Sequence, residues 1–222
     1  IVAVPADQSP LLRIQGAKRA TSIAEHFRDE GKKVLLILDS LTRVAHAQRE
    51  LGLAVGEQPT SRGYPPSVIS LIPALIERTG VGVKSTGSIT SIYTILADGD
   101  DTVSDPIVDN GRAILDGHII LSRKLAQQGI YPAIDVGNSI SRIMIDLVTP
   151  EQGKNAQKLR KLISVYQENQ DLLLMGGYVQ GQDADLDQAV QKWPDIVKFL
   201  HQDKNAKFSF SDANKMMSEL VA

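Results

Sequence analysis

The sequence predicts an α/β domain followed by a helical one, and three observations carry that reading. From Lys32 to Arg43, KKVLLILDSLTR, two lysines lead into five apolar residues, Val34 to Leu38, that end on Asp39 and Ser40. An apolar run without alternation marks a strand covered on both faces, as in a parallel sheet flanked by helices. From Ile1 to Val136 such runs alternate with stretches of helical spacing, with glycines after helices and polar residues after strands. Beyond Pro150 the strand-like runs stop and helical spacing continues to the C-terminus, as in a small bundle. The α/β part is therefore residues 1–149 and the helical domain residues 150–222.

Taken in order, Ile1 to Val4 reads as a strand already under way, so the chain is expected to be part of a longer protein. Ser9 can cap a helix with Pro10 at its first position, and Ala20, Ile23, Ala24 and Phe27 keep helical spacing as far as Gly31. With the strand from Val34 these make a βαβ unit, which implies a central parallel strand with right-handed crossover. A second helix runs from about Thr42 to Leu53. Two glycines and three prolines among the eleven residues Gly56 to Pro66 exclude helix and strand and fix an irregular loop. A helix follows from Ser67, with Pro73 expected to bend it. Gly87 to Leu96 is β-branched and reads as a buried strand beside the first, ended by an acidic turn at Asp98 to Asp101. A short helix from Asp105-Pro106 leads to a strand at Gly117 to Leu121, and a helix ending at Gly129 leads to a strand at Tyr131 to Val136. In the last part, Leu159, Leu162, Ile163 and Tyr166 mark a long helix broken at Gly176-Gly177. Leu186 to Val190 and Ile196 to Leu200 mark two more, and a last helix lies near the C-terminus.

Composition excludes several classes of function. The 24 basic and 26 acidic residues leave a net charge of −2, which removes the bulk electrostatic case for nucleic-acid binding. No cysteine is present, so there is neither a disulfide framework nor a thiolate metal site, and a reducing cytoplasm is allowed. The four histidines show no paired spacing and suggest no metal site. No apolar stretch approaches the roughly 18 residues that span a bilayer.

Asp39 is the first polar residue beyond its strand. In open parallel sheets ligands bind outside the carboxyl ends of the strands, where a carboxylate can hold a metal-bound water or a phosphate-linked Mg²⁺. The same pattern fits the N-cap of the next helix, and residues alone leave both readings open.

Several further segments carry a resemblance. They are Leu38-Asp-Ser-Leu-Thr-Arg43, Arg62-Gly-Tyr-Pro-Pro-Ser67, Gly87-Ser-Ile-Thr90, Ala113-Ile-Leu-Asp-Gly-His118 with Leu121-Ser-Arg123, and Tyr131-Pro-Ala-Ile-Asp135 with Ser139-Ile-Ser-Arg142. Together they resemble the flagellar and type III secretion export ATPases, relatives of the catalytic subunit of rotary ATP synthases, over about Ile1 to Leu220. The Arg62 to Ser67 form points to the export branch. The resemblance implies the second half of a RecA-like nucleotide-binding domain followed by the C-terminal helical domain. No GxxxxGK[ST] loop occurs in the sequence, so the chain alone is expected not to hydrolyse ATP.

Residue by residue, the resemblance makes Asp39 the Walker B aspartate, contacting Mg²⁺ through water. It makes Arg142 an arginine finger reaching a neighbouring subunit's γ-phosphate, where the pattern alone reads a solvated loop arginine. Phe210 falls where the family sets an aromatic ring against adenine, although an aromatic in a small helical domain also suits its core. Gly153 stands where relatives often have a tyrosine completing that pocket. Arg43 and Arg62 are candidates for nucleotide sensing or intersubunit contacts, and surface salt bridges explain them equally. Residues 176–187, GGYVQGQDADLD, match the helix-loop-helix that in relatives faces the stalk or cargo; their acidity suits a basic partner, and a solvated acidic loop explains them equally.

The implied whole is a cytoplasmic homo-hexamer at the inner face of the cell membrane, using ATP and Mg²⁺ to drive protein export. Its implied partners are stalk, regulator and chaperone-cargo proteins, without nucleic acid. The alternatives are a non-catalytic ring subunit, a proton-moving synthase subunit and an RNA-moving ring helicase. The near-neutral charge opposes the last.

Overall fold

A computed structural model describes residues 1–83, 86–97 and 105–222. They form two compact units, Ile1–Leu115 and Asp116–Ala222. No helix among the described residues is long and apolar enough to cross a membrane.

The first unit opens with helix α1 (Pro10–Asp29), where the Ser9 side chain accepts from Leu12 N and Pro10 takes the first position. Strand β1 (Lys33–Leu38), helix α2 (Leu41–Ala54) and a short 3₁₀ turn at Ser61–Gly63 follow. Helix α3 (Pro66–Ile76) carries Pro73 inside it, β2 is the two-residue strand Gly80–Val81, β3 spans Ser88–Tyr93, and α4 spans Pro106–Ile114. β1 pairs parallel to β3 in the register Val34↔Ile89 to Leu38↔Tyr93, as expected, and β2 pairs antiparallel to the other edge of β3.

Two expectations about this unit are corrected. Among the described residues β3 is the middle strand and β1 an edge, and only one face of β1 is covered. Leu36, Leu38 and Ile89 are buried against the helices, whereas Leu35, Ile37 and Ile92 on the other face are 60%, 63% and 51% exposed. A five-residue apolar run therefore marks a strand with two apolar faces, of which the helices here cover one. Ile1 to Val4 is not a strand, so the βαβ unit does not close. The segment lies on α1 instead: a Cβ added to Gly16 would fall 2.5 Å from Val4 Cγ2.

The core lies between the covered sheet face and the helices. Leu41, Val68 and Ile72 are fully buried there, with Leu75 and Ile107 nearly so. Each such side chain contributes about 1.5–3 kcal/mol by leaving water. The expected acidic turn lies outside the described residues.

The second unit begins with β4 (Gly117–Leu121), helix α5 (Arg123–Gln127) and β5 (Ile134–Ser141). Among the described residues these two strands pair only with each other, antiparallel, which corrects the expected continuation of the parallel rhythm. β5 also runs through Gly137 to Ser141, a stretch whose small polar residues read as loop; Gly137 to Ser139 form a bulge, and Ile140 and Ser141 pair again with β4. Helices α6 (Met144–Leu147), α7 (Pro150–Glu168), α8 (Gln170–Leu174), α9 (Ala184–Leu200) and α10 (Phe210–Leu220) follow. α9 is one helix where two were expected, continuing past Pro194. Its packing holds it together: Trp193 stacks on Tyr166 of α7 with ring centroids 3.8 Å apart, and Ala189 and Ile196 are fully buried beside Leu159 and Ile163. Val136 of β5 packs against this same cluster, so the strand pair belongs with the helices by packing.

Candidate nucleotide-hydrolysis site

Asp39 is exposed at the carboxyl end of β1, on a cis peptide bond to Ser40. The helix cap is its neighbour. Ser40 Oγ accepts from Arg43 N at 3.3 Å, so the carboxylate of Asp39 is not used up in capping α2, and the capping alternative is resolved against Asp39. Its Oδ1 instead accepts a 2.7 Å hydrogen bond from the Thr94 hydroxyl, just beyond the parallel strand β3. The backbone closes the same junction. Thr94 N donates to Leu38 O at 3.2 Å, Leu41 N donates to Thr94 O at 3.0 Å, and Leu96 N donates to Thr42 Oγ1 at 2.8 Å.

A carboxylate with one oxygen held by a hydroxyl suits contact with Mg²⁺ through a water, since the other oxygen keeps its acceptor capacity. Among the described residues no group of three His, Asp or Glu side chains could hold a metal directly. Arg43, in the first turn of α2, is exposed four residues beyond Asp39.

The loop from Gly56 to Pro66 is tied inward. Arg62 has φ +50° in its 3₁₀ turn, and its Nη1 lies 3.8 Å from Oδ2 of the buried Asp105. Asp105 Oδ1 meanwhile caps α4 by accepting from Ile107 N and Val108 N. Of the two readings left open for Arg62, the structure displays the salt bridge. Tyr64 is buried, its hydroxyl 3.1 Å from His46 Nε2, with the Arg49 guanidinium 5.1 Å from its ring centroid. Sequence reasoning missed Ser40, Tyr64 and Thr94 as organising residues. For Tyr64 a signal existed, a tyrosine flanked by glycine and two prolines.

In the second unit Arg142 follows β5 directly and is exposed, with its backbone N–H donating to Asp116 O at 2.7 Å. Phe210 is the first residue of α10 and is 72% exposed, so it is not a core aromatic. Ser209 caps that helix, and its hydrogen bonds to Asp212 hold that carboxyl below its ordinary range. At Gly153 in α7 an added Cβ would meet only Val148 Cγ2, at 3.9 Å. Packing therefore does not demand glycine there.

The carboxylates of residues 176–187 are engaged locally. Asp187 accepts from the Tyr178 hydroxyl at 2.6 Å and from Gly181 N at 2.8 Å, Asp183 caps α9, and Asp185 pairs with Lys161 at 2.6 Å. Hydrogen bonding to Asp187 raises the Tyr178 phenol above its ordinary value.

Asp39 and Arg43 share one strand–helix junction, while Arg142 and Phe210 belong to the other unit. A parallel strand pair with a carboxylate at its carboxyl end that is not spent on the helix cap, in a chain that continues into a helical bundle, is the arrangement of an open α/β protein that takes its ligand outside the strand ends. The chain belongs to the ATP synthase alpha/beta family, whose nucleotide-binding domain matches residues 1–141. Residues 148–219 match the T3SS EscN ATPase C-terminal domain. The chain is 55% identical over 202 residues to the flagellum-specific ATP synthase of Salmonella typhimurium (strain LT2), covering 91% of this chain and 44% of that protein. It is similar in structure to the assembled ATPase EscN of the enteropathogenic E. coli type III secretion system, with a TM-score of 0.91 and 44% identity over 97% of this chain and 52% of that one. EscN in complex with its central stalk EscO gives a TM-score of 0.86 at 43% identity, over 99% and 52% of the two chains. The chain thus spans about half the length of the proteins it matches.

Proposed function

We propose that the complete protein is a ring-forming ATPase that couples ATP hydrolysis to protein export through a flagellar or type III secretion system. The observation that carries this is Asp39, free of the helix cap and held by Thr94 at the end of a parallel strand. In this reading Asp39 orients the water shell of Mg²⁺ bound with ATP, and the cation neutralises charge on the phosphates. Arg142 reaches the site of the next subunit, where a planar guanidinium meets charge spreading over the γ-phosphoryl oxygens. Arg43 senses the nucleotide beside Asp39, and Phe210 stacks on adenine. The ring is a homo-hexamer, working in the cytoplasm at the inner face of the membrane. A central stalk, a regulator and chaperone-bound cargo dock on it; the names of the relatives support an export role and a stalk.

In the full-length protein Arg142→Ala leaves nucleotide binding nearly intact and cuts turnover by roughly 10³-fold or more, the scale of lost arginine fingers. Mixing it with Asp39→Asn subunits restores part of the hydrolysis, because mixed rings contain interfaces where an intact site meets an intact finger. Near-normal hydrolysis by Arg142→Ala, or no recovery in mixed rings, would overturn the assignment.

A further inference from the structure

The strand that delivers Arg142 is irregular, and its irregularity is built. β4 and β5 pair at His118↔Ile140 and again at Ile120↔Asp135, so Val136 to Ser139 stand as a bulge opposite Ile119 alone. Such bulges re-aim the side chains that follow them. Ser139 is its keystone: its Oγ donates to Asp135 O at 2.6 Å and accepts from Ile120 N at 2.9 Å. The Asp135 carboxylate accepts from both nitrogens of Asn138, at 3.1 and 2.9 Å. All these contacts lie within the strand pair. Beside the apolar packing of Val136 on the helices, a hydrogen bond comes from outside it: Arg160 Nη2, on α7, donates to Ser139 O at 2.8 Å. A guanidinium on a carbonyl makes a charge-assisted bond with directional donors. Three residues later the chain is fixed again, by Arg142 N on Asp116 O.

We infer that Arg160 is a positioning residue for Arg142, holding the bulge against α7 through the Ser139 carbonyl and so setting where the finger guanidinium stands. This rests on the reading of Arg142 given above. Arg160 is exposed and Ser139 half-buried, so water can take over much of the bond at modest cost to the fold. What changes is placement, and a displacement of about 1 Å at a reacting centre costs on the order of 10²-fold in rate.

The test is made in the full-length ring with Arg160→Ala, Arg160→Lys, Arg142→Ala and the Arg160→Ala/Arg142→Ala pair. Arg160→Ala is expected to lower kcat at least tenfold while KM for ATP and the melting temperature stay close to wild type, and Arg160→Lys, which keeps a cationic donor, recovers part of the rate. The double variant is no slower than Arg142→Ala, since an absent finger cannot be misplaced. In the 222-residue chain, Arg160→Ala speeds amide exchange at Arg142. Normal turnover by Arg160→Ala beside a crippled Arg142→Ala, additive losses in the double variant, or unchanged exchange at Arg142 would each overturn this inference and leave the finger standing. Near-normal turnover by Arg142→Ala would overturn both.

Discussion

At the scale of single residues, the division of labour between Asp39 and Ser40 separates stability from chemistry. Ser40 is 1% exposed and caps α2, so Ser40→Ala is expected to cost about 1 kcal/mol in urea unfolding. Asp39→Asn keeps an oxygen for the Thr94 hydroxyl and is expected to stay within about 0.5 kcal/mol of wild type, while removing the charge the proposed site needs. Equal losses from both would return the capping role to Asp39. A second residue-scale prediction concerns Glu25, which accepts from Arg78 Nε and Nη2 and whose carboxyl that hydrogen bonding holds below its ordinary value. A carboxyl depressed on folding adds stability above its unfolded value, and that share is lost as pH falls through the folded value. Acid titration of stability should therefore fall more steeply in wild type than in Glu25→Gln below the ordinary glutamate range; parallel curves would show that the pair contributes nothing.

At the scale of elements, what could be read from the sequence was what short-range chemistry decides. The start of α1 follows from Ser9-Pro10, where cap and proline act within three residues. Strand partners were harder, because pairing joins residues far apart in sequence. Thus Gly137, Asn138 and Ser139 lie beyond the expected end of their strand and are a bulge inside it, and Gly117 to Leu121 looks parallel and is antiparallel. The site divides the same way. Asp39 stands out at the end of an apolar run, whereas Thr94 and Arg160 make contacts across 55 and 21 residues and leave no local trace. Gly117 tests the strand pair directly. A Cβ there would fall 2.4 Å from Ile140 O, so Gly117→Ala must push β5 away and is expected to cost about 1–3 kcal/mol of stability. A measured loss near zero would mean that the strands separate freely at this point.

At the scale of the molecule, the uncovered face of β1 and β3 governs how the 222-residue chain behaves in solution. Leu35, Ile37 and Ile92 form an apolar patch beside an open strand edge, so concentrated samples are expected to self-associate. Leu35→Lys with Ile37→Lys should return light scattering to a monomer mass; association that survives both would place the contact elsewhere. The second unit has a different consequence. Arg160 is the eleventh residue of α7, so it stands about 15 Å along the axis from Pro150 at roughly 1.5 Å per residue. A tilt of α7 by about 5° about its capped N-terminus sweeps Arg160 through about 1.3 Å, a displacement on the scale that costs about 10²-fold in rate. On the inference that Arg160 positions Arg142, the helix would be a lever arm, and a load on its far end is expected to slow hydrolysis by the full ring without touching nucleotide. An antibody fragment against the far end of α7 that slows the wild-type ring, yet leaves the residual rate of Arg160→Ala unaltered, would register that stroke.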